Sequence, residues 1–278
     1  EPQGCWWEPR VHVSTTTEPK ARLRAGVVGC GAIAQEHLAF LARSDLVVLD
    51  AVCDRSSVTA SVAQSTFDAR SAYLDVDEML SERELDVVHI LTPPPSHAAL
   101  ITKAIGAGAH VVCEKPMALD AATISSLAET ARAAGLTILE SRNYLYNDLV
   151  QRVDALVADG RLGEVREIDI DISFDVAAGP LGDPNLTSGG GGEMPGGAVH
   201  DFLPHISSML LHFCDADAEP TVVAGRLDDI GSSARAGTDH LDALVSIGTV
   251  RGHVRLSPDV KPDAFRLIVR GTRGSAVC

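Results

Sequence analysis

A chain of 278 residues with 45% hydrophobic content is long enough for two domains, each able to bury a core of its own. Its formal charge of -15 excludes a polyphosphate backbone or an anionic membrane surface as partner, because no lysine- or arginine-rich stripe outweighs it locally. Apolar runs such as Val47 to Val52 are of strand length, far short of the roughly 20 residues a membrane-spanning helix needs, so a soluble protein is expected. The six cysteines (Cys5, Cys30, Cys53, Cys113, Cys214, Cys278) form no Cys-x-x-Cys pair, and three fall in or beside strand-like apolar runs. Thiols placed so are buried and inert, which points to a reducing cytoplasm and away from a thiolate metal site.

Residues 1–22 hold three prolines and a Thr15-Thr16-Thr17 run with no apolar period, and read as a disordered extension without the pattern of a signal peptide. From Leu23 the pattern alternates between short apolar runs and helix-period stretches, the signature of an α/β fold with a doubly wound parallel sheet. Strands are expected at Ala25 to Val28, Leu46 to Cys53, Val87 to Leu91, His110 to Cys113 and Thr137 to Leu139. A helix is expected from an N-cap at Asp120, through Ile124, Leu127, Ala128 and Ala131 on one face, to Gly135, where a helix end favours positive φ.

This first domain, 23–142, gives way to a second, 143–278, of α+β type with a largely antiparallel sheet. A helix runs through Leu149, Val153, Leu156 and Val157, and strands follow at Val165 to Phe174 and Thr221 to Leu227. Two more, Leu241 to Ile247 and Val250 to Leu256, are joined by Gly248-Thr249 as a tight hairpin. The glycine-dense stretch Ser188 to Gly197 reads as a mobile loop feeding a helix near His200. Phe265 to Val269, the turn Gly271-Thr272-Arg273-Gly274 and a last strand cut short at Cys278 read as an incomplete sheet with an exposed edge.

Chemistry concentrates at the ends of the first-domain strands. Gly29-Cys30-Gly31-Ala32-Ile33-Ala34 is a G-x-G-x-x-A element between a strand and a helix. Gly29 allows the tight turn, Gly31 lets the backbone approach a pyrophosphate, and Ala34 lets helix and strand pack, while Ala32 and Ile33 open the helix whose N-terminus favours negative charge. Asp54, at the end of the second strand, is placed to accept hydrogen bonds from an adenosine ribose diol. Its charge repels a 2'-phosphate and favours NAD, whereas the adjacent Arg55 is the residue that could pair with that phosphate and favour NADP.

Three further segments carry a resemblance. Thr92-Pro93-Pro94-Pro95-Ser96-His97 follows the strand Val87 to Leu91, Glu114-Lys115-Pro116 follows the strand His110 to Cys113, and Gly196-Gly197-Ala198-Val199-His200-Asp201-Phe202-Leu203-Pro204-His205 opens the later helix. In this order they resemble the glucose-fructose oxidoreductase, inositol dehydrogenase and rhizopine-catabolism (Gfo/Idh/MocA) family over about Leu23 to Cys278. The resemblance implies that Thr92 and Pro93 line the nicotinamide side, His97 braces their loop, Glu114 touches the nicotinamide ribose, and a cis peptide before Pro116 aims Lys115 at substrate. It implies that Asp201 and His205 are catalytic. Their spacing puts them on one helical face, and Pro204 suits a first turn with Asp201 at the N-cap. Leu203 stands where members commonly have Gly, Ser208 where an Asp is frequent, Leu145 for Arg and Asp148 for Pro, so substrate contacts are expected to differ.

Zinc is the competing use of His200, Asp201, His205 and His212; the family reading gives them to catalysis, and no metal is expected. By resemblance, His205 removes a hydroxyl proton from a sugar, cyclitol or other polyol, Asp201 orients the imidazole, and Lys115 polarises the same oxygen. Association into a homo-oligomer through the second domain's sheet is likewise implied. A glycoside hydrolase working through transient oxidation by bound NAD, and a non-catalytic dinucleotide-binding protein, are the alternatives.

Overall fold

The computed structural model describes residues 22–173, 197–215, 217–228, 240–257 and 260–278, and of Gly197, Ala198 and Asp201 the backbone alone. The expected extension up to residue 21 and the glycine-dense loop before Gly197 lie outside the described residues. Two units separate by their internal contacts, one ending at Ser141 and one starting at Arg142.

The first unit runs β1 (Leu23–Val28), α1 (Ala34–Arg43), β2 (Val47–Cys53), α2 (Ser57–Phe67), β3 (Ser71–Tyr73), α3 (Val76–Glu82), β4 (Val87–Ile90), α4 (His97–Gly106), β5 (His110–Cys113), α5 (Ala121–Ala133) and β6 (Ile138–Glu140). All neighbouring strands pair in parallel, in the order β3-β2-β1-β4-β5-β6. The order reverses between β1 and β4, so loops leaving the carboxyl ends of these strands diverge and open a crevice. Buried Ala25, Val27, Val52 and Leu49 pack with Leu38 and Leu41 of α1 on one side; Val88, Ile90 and Val111 pack with Ile101, Ala104 and Leu127 on the other.

The expected strands are present to within two residues at each end, and β3 is one more, a Ser-Ala-Tyr segment too short to show a period. Asp120 caps α5 by accepting the Thr123 N–H at 2.8 Å, and Gly135 takes φ of +70° just past its end. Leu127 and Ala131 are buried, whereas Ile124, expected on the same face, is 38% exposed.

The second unit comprises α6 (Asp148–Ala158), β7 (Val165–Ser173), α7 (Gly197–His212), β8 (Pro220–Asp228), β9 (His240–Ile247), β10 (Val250–Ser257), β11 (Ala264–Gly271) and β12 (Ser275–Val277). Its strands lie in the order β12-β11-β7-β10-β9-β8. Four of the pairings are antiparallel; the fifth, between β7 and β10, is parallel, so the sheet is mixed. The hairpin at Gly248-Thr249, with Gly248 at φ +56° and Ile247 opposite Val250, sets the direction of β10.

Period two divides the strands β7, β10 and β11 into a buried and an outer face. Ile168, Ile170 and Ile172 of β7, Leu267 and Val269 of β11, and Val254 and Leu256 of β10 are buried with Val150, Val153, Ile206, Met209, Leu210 and Phe213 from the helices. Gly252 lies on the same face, and a Cβ there would come within 2.7 Å of Leu210 Cδ1. The other face is a lattice of opposite charges. Arg251 meets Glu167 at 2.5 Å, Arg255 meets Asp171 at 2.5 Å, and Arg270 pairs with Asp169.

Candidate functional site

The candidate cofactor residues of the first unit all follow strands at the carboxyl edge of the sheet. After β1, Gly29 takes φ of +89°, and a Cβ there would stand 2.9 Å from the Leu91 carbonyl carbon and oxygen, so the turn requires glycine. Gly31, by contrast, faces open space, with nothing within 4 Å of a Cβ built on it. Gly31, Ala32 and Ile33 are exposed at the start of α1, where backbone N–H groups are unsatisfied within the helix. After β2, the Asp54 carboxylate accepts the Cys30 N–H and the Ser56 N–H, each at 2.9 Å, which ties it to the glycine turn; Arg55 beside it is exposed. Both carboxylate oxygens keep lone pairs for further donors. An open glycine cradle at a helix start with an anchored carboxylate beside it fits a dinucleotide.

Cys30, inside the cradle, is buried, and burial together with the nearby Asp54 charge pushes its thiol up to about 12. Burial likewise raises Cys53 to about 11, and Cys113 further still. Burial thus favours the protonated thiol, the weaker nucleophile, at neutral pH.

After β4, Thr92 Oγ1 and Ser96 Oγ lie 2.7 Å apart, and His97 opens α4 with its ring fully buried. Its Nε2 is 2.5 Å from the Thr92 carbonyl and its Nδ1 is 2.8 Å from the Pro116 carbonyl. His97 therefore links the loop after β4 to the loop after β5. The peptide between Lys115 and Pro116 is cis. Lys115 is half-buried, and its backbone N–H donates to Glu114 Oε2 at 3.2 Å.

Glu114 is held from a second side. His37 Nε2, on α1, is 3.3 Å from Glu114 Oε1, and His37 Nδ1 is 3.1 Å from Nδ1 of His89, which projects from β4. Burial alone would raise the Glu114 carboxyl, but hydrogen bonds from His37, Ser141 and the Lys115 N–H hold it below the usual carboxylate range. Burial, reinforced by His37, pushes His89 down to about 4, so its ring is neutral around neutrality.

In the second unit α7 starts at Gly197, a turn earlier than an N-cap at Asp201 requires. Asp201 and His205 stand inside the helix, and Pro204 is an interior proline. The apolar stripe that continues upstream to buried Val199, in register with Ile206, Met209 and Leu210, draws the extra turn into the core. His205 is buried, 6% exposed, with the Tyr144 ring tilted against it at 4.4 Å between ring centroids and Phe202 at 5.8 Å. Tyr144 in turn meets Phe265 at 5.4 Å. His212, at the far end of α7, is paired with Asp154 of α6 at 3.0 Å, and no cluster of metal-ligating side chains occurs among the described residues.

Residues 23–141 match the family model described as oxidoreductase family, NAD-binding Rossmann fold (GFO/IDH/MocA), and residues 150–277 match the GFO/IDH/MocA C-terminal domain. The chain belongs to the GFO/IDH/MocA family. Among relatives, D-apiose dehydrogenase of Paraburkholderia graminis is 30% identical over 60% of this chain and 45% of its own length. The dTDP-3,4-didehydro-2,6-dideoxy-alpha-D-glucose 3-reductase of Streptomyces violaceoruber is 33% identical over 70% of this chain and 56% of its own. The chain thus spans about half the length of the curated relatives it matches. A crystal structure of myo-inositol 2-dehydrogenase from Lactobacillus plantarum shares the fold with a TM-score of 0.77 at 19% identity, over 92% of this chain and 76% of that one.

Two features of this GFO/IDH/MocA member escape sequence reasoning. His89 interrupts the apolar run Val87-Val88-His89-Ile90, a signal that a buried polar partner is needed, but nothing local names His37 as that partner. Tyr144 lies far from His205 in the chain and carries no motif; only folding brings the two rings together.

Proposed function

We propose that this protein is an NAD-dependent dehydrogenase acting on a CH-OH group of a sugar, cyclitol or related polyol. The observation that carries the reading is the alignment, along one sheet edge, of the open glycine cradle after β1, the anchored Asp54 after β2 and the clamped Lys115 after β5. The family's NAD-binding domain and the sugar-directed names of the relatives point the same way. When bound in its oxidised form, NAD would supply the hydride acceptor for a carbinol carbon. Gly31 and the start of α1 would hold its pyrophosphate, Asp54 its adenosine ribose, and Thr92 and Pro93 its nicotinamide side.

The chain's own residues then manage one proton and one oxygen. His205 takes the hydroxyl proton, using an imidazole whose ordinary range suits either direction near neutrality. Asp201 orients that imidazole. The Lys115 ammonium stabilises negative charge growing on a substrate oxygen, an effect largest where water is excluded. NAD is the preferred cofactor over NADP because Asp54 repels a 2'-phosphate. Free, buried thiols fit a cytoplasmic location, and the second unit's sheet is the surface we assign to a homo-oligomer.

Screening polyols, inositols and sugars for NADH formation tests the reading. With a substrate in hand, His205→Asn should lower turnover by about 100-fold to 10,000-fold with NAD affinity unchanged, and Lys115→Met should do likewise. A His205→Asn protein with full turnover removes the imidazole from the mechanism. NAD binding without turnover on any polyol or sugar leaves a dinucleotide-binding protein that is not a dehydrogenase of this class.

A further inference from the structure

The chain His89–His37–Glu114 has no part in the mechanism above, yet it ends at the lysine that mechanism needs. His37 Nε2 faces a carboxylate, which only accepts, so Nε2 carries a hydrogen. His37 Nδ1 faces His89 Nδ1 at 3.1 Å, and one of these two atoms must also carry a hydrogen. With both rings neutral the arrangement is unique. His89 Nδ1–H donates to His37, His37 Nε2–H donates to Glu114 Oε1, and Glu114 Oε2 is left to accept the Lys115 N–H.

We propose that His37 and His89 are positioning residues for Lys115, acting through the Glu114 carboxylate. The inference rests on the reading of Lys115 as the group that polarises the substrate oxygen. A carboxylate hydrogen-bonded only through Oε2 is free to turn about its terminal torsion; anchored at Oε1 by His37, it offers Oε2 to the Lys115 peptide in one orientation. The Pro116 carbonyl, on the other side of the lysine, is held by His97. Lys115 is therefore gripped on both flanks, by α1 and β4 through two imidazoles and by α4 through one. Packing alone does not ask for this: a buried polar group is an expense that well-fitted apolar side chains avoid, and β4 otherwise buries valine and isoleucine. On this view Glu114 serves the lysine rather than the nicotinamide ribose.

The test labels amines of the whole chain with trace acetic anhydride and reads Lys115 against Lys103, an exposed lysine of the same unit. His37→Leu should raise the Lys115 to Lys103 ratio about two- to tenfold, the span of one lost hydrogen bond. His37→Gln, whose amide N–H reaches toward the same carboxylate, should restore the wild-type ratio, and His89→Leu should fall between. A His37→Leu protein that melts as wild type and binds NAD equally well, with an unchanged ratio, overturns the proposal. If that variant does not fold, ring-nitrogen NMR of the wild type at about pH 8 decides, since neutral imidazole otherwise prefers the Nε2–H tautomer. Finding His89 as Nδ1–H, or His37 protonated on both nitrogens, supports the chain; both rings as neutral Nε2–H leaves two lone pairs facing each other and refutes it. Labelling and NMR need no substrate, so absence of turnover counts against the dehydrogenase reading alone.

Discussion

Replacing His97 by Leu removes the ring that bridges the Thr92 and Pro116 carbonyls while keeping a side chain of comparable bulk. The ring is fully buried, and an imidazole with one N–H donates to one of the two carbonyls. A buried acceptor left unsatisfied costs about 1–3 kcal/mol. In a unit of this size each kcal/mol lowers Tm by about 3–5 °C, so the melting point should drop by roughly 3–15 °C. Urea titration followed by far-UV circular dichroism gives the free energy directly. His97→Gln, which keeps a donor group, should recover part of the loss. A His97→Leu protein within about 0.5 kcal/mol of wild type, the range of an ordinary surface change, refutes the clamp.

Acidification provides a second measurement. With His89 at about 4 in the folded state against an ordinary 6.5, the unfolded chain binds the extra proton between those values, so stability is full above pH 6.5 and declines as pH falls toward 4. The loss is at most about 3 kcal/mol, and the lowered Glu114 carboxyl adds to it as pH falls through its own folded value. Urea midpoints across this window should flatten in His89→Leu; an unchanged slope assigns the acid sensitivity elsewhere. For the cofactor, titration should show NAD binding more tightly than NADP, and Asp54→Ala should narrow the gap by about tenfold, the worth of a charge-assisted hydrogen bond. The same variant frees the Cys30 N–H and should weaken NAD outright; a wild type that prefers NADP assigns the 2'-position to Arg55.

Much of the first unit is legible from local signals. A strand, Gly29-x-Gly31 and a helix face are contiguous in sequence, and Asp120 and Gly135 write both ends of α5 in single residues. What escapes is whatever depends on distant residues meeting. The start of α7 is displaced because burial of Val199 outweighs the first-turn place suggested by Pro204. β3 exists because Ser71 to Tyr73 finds Ala51 to Cys53 alongside it, with no intrinsic pattern to announce it. The two-loop grip of His97 follows the same logic. Its place at the head of α4 is readable from the chain, whereas the Pro116 carbonyl it reaches is supplied by the next strand's loop.

The second unit's charged lattice decides less about its own alignment than its regularity suggests. Sliding β10 along β7 by two residues would still set arginine and histidine against acidic partners, because Arg251, His253 and Arg255 oppose Glu167, Asp169 and Asp171 at the same spacing. Charge therefore selects which face of β10 looks outward and leaves the choice among even-numbered offsets nearly degenerate. Two features remove that degeneracy. The hairpin at Gly248-Thr249 fixes β10 against β9, with Ile247 opposite Val250. A slide of two residues in either direction would also bring Val250 or Val254 beneath Leu210, where a single Cβ on the present backbone sits 2.7 Å from Cδ1 and would displace that side chain. The tight turn and the absent side chain together act as the ratchet tooth of the sheet, and the salt bridges follow wherever they lock.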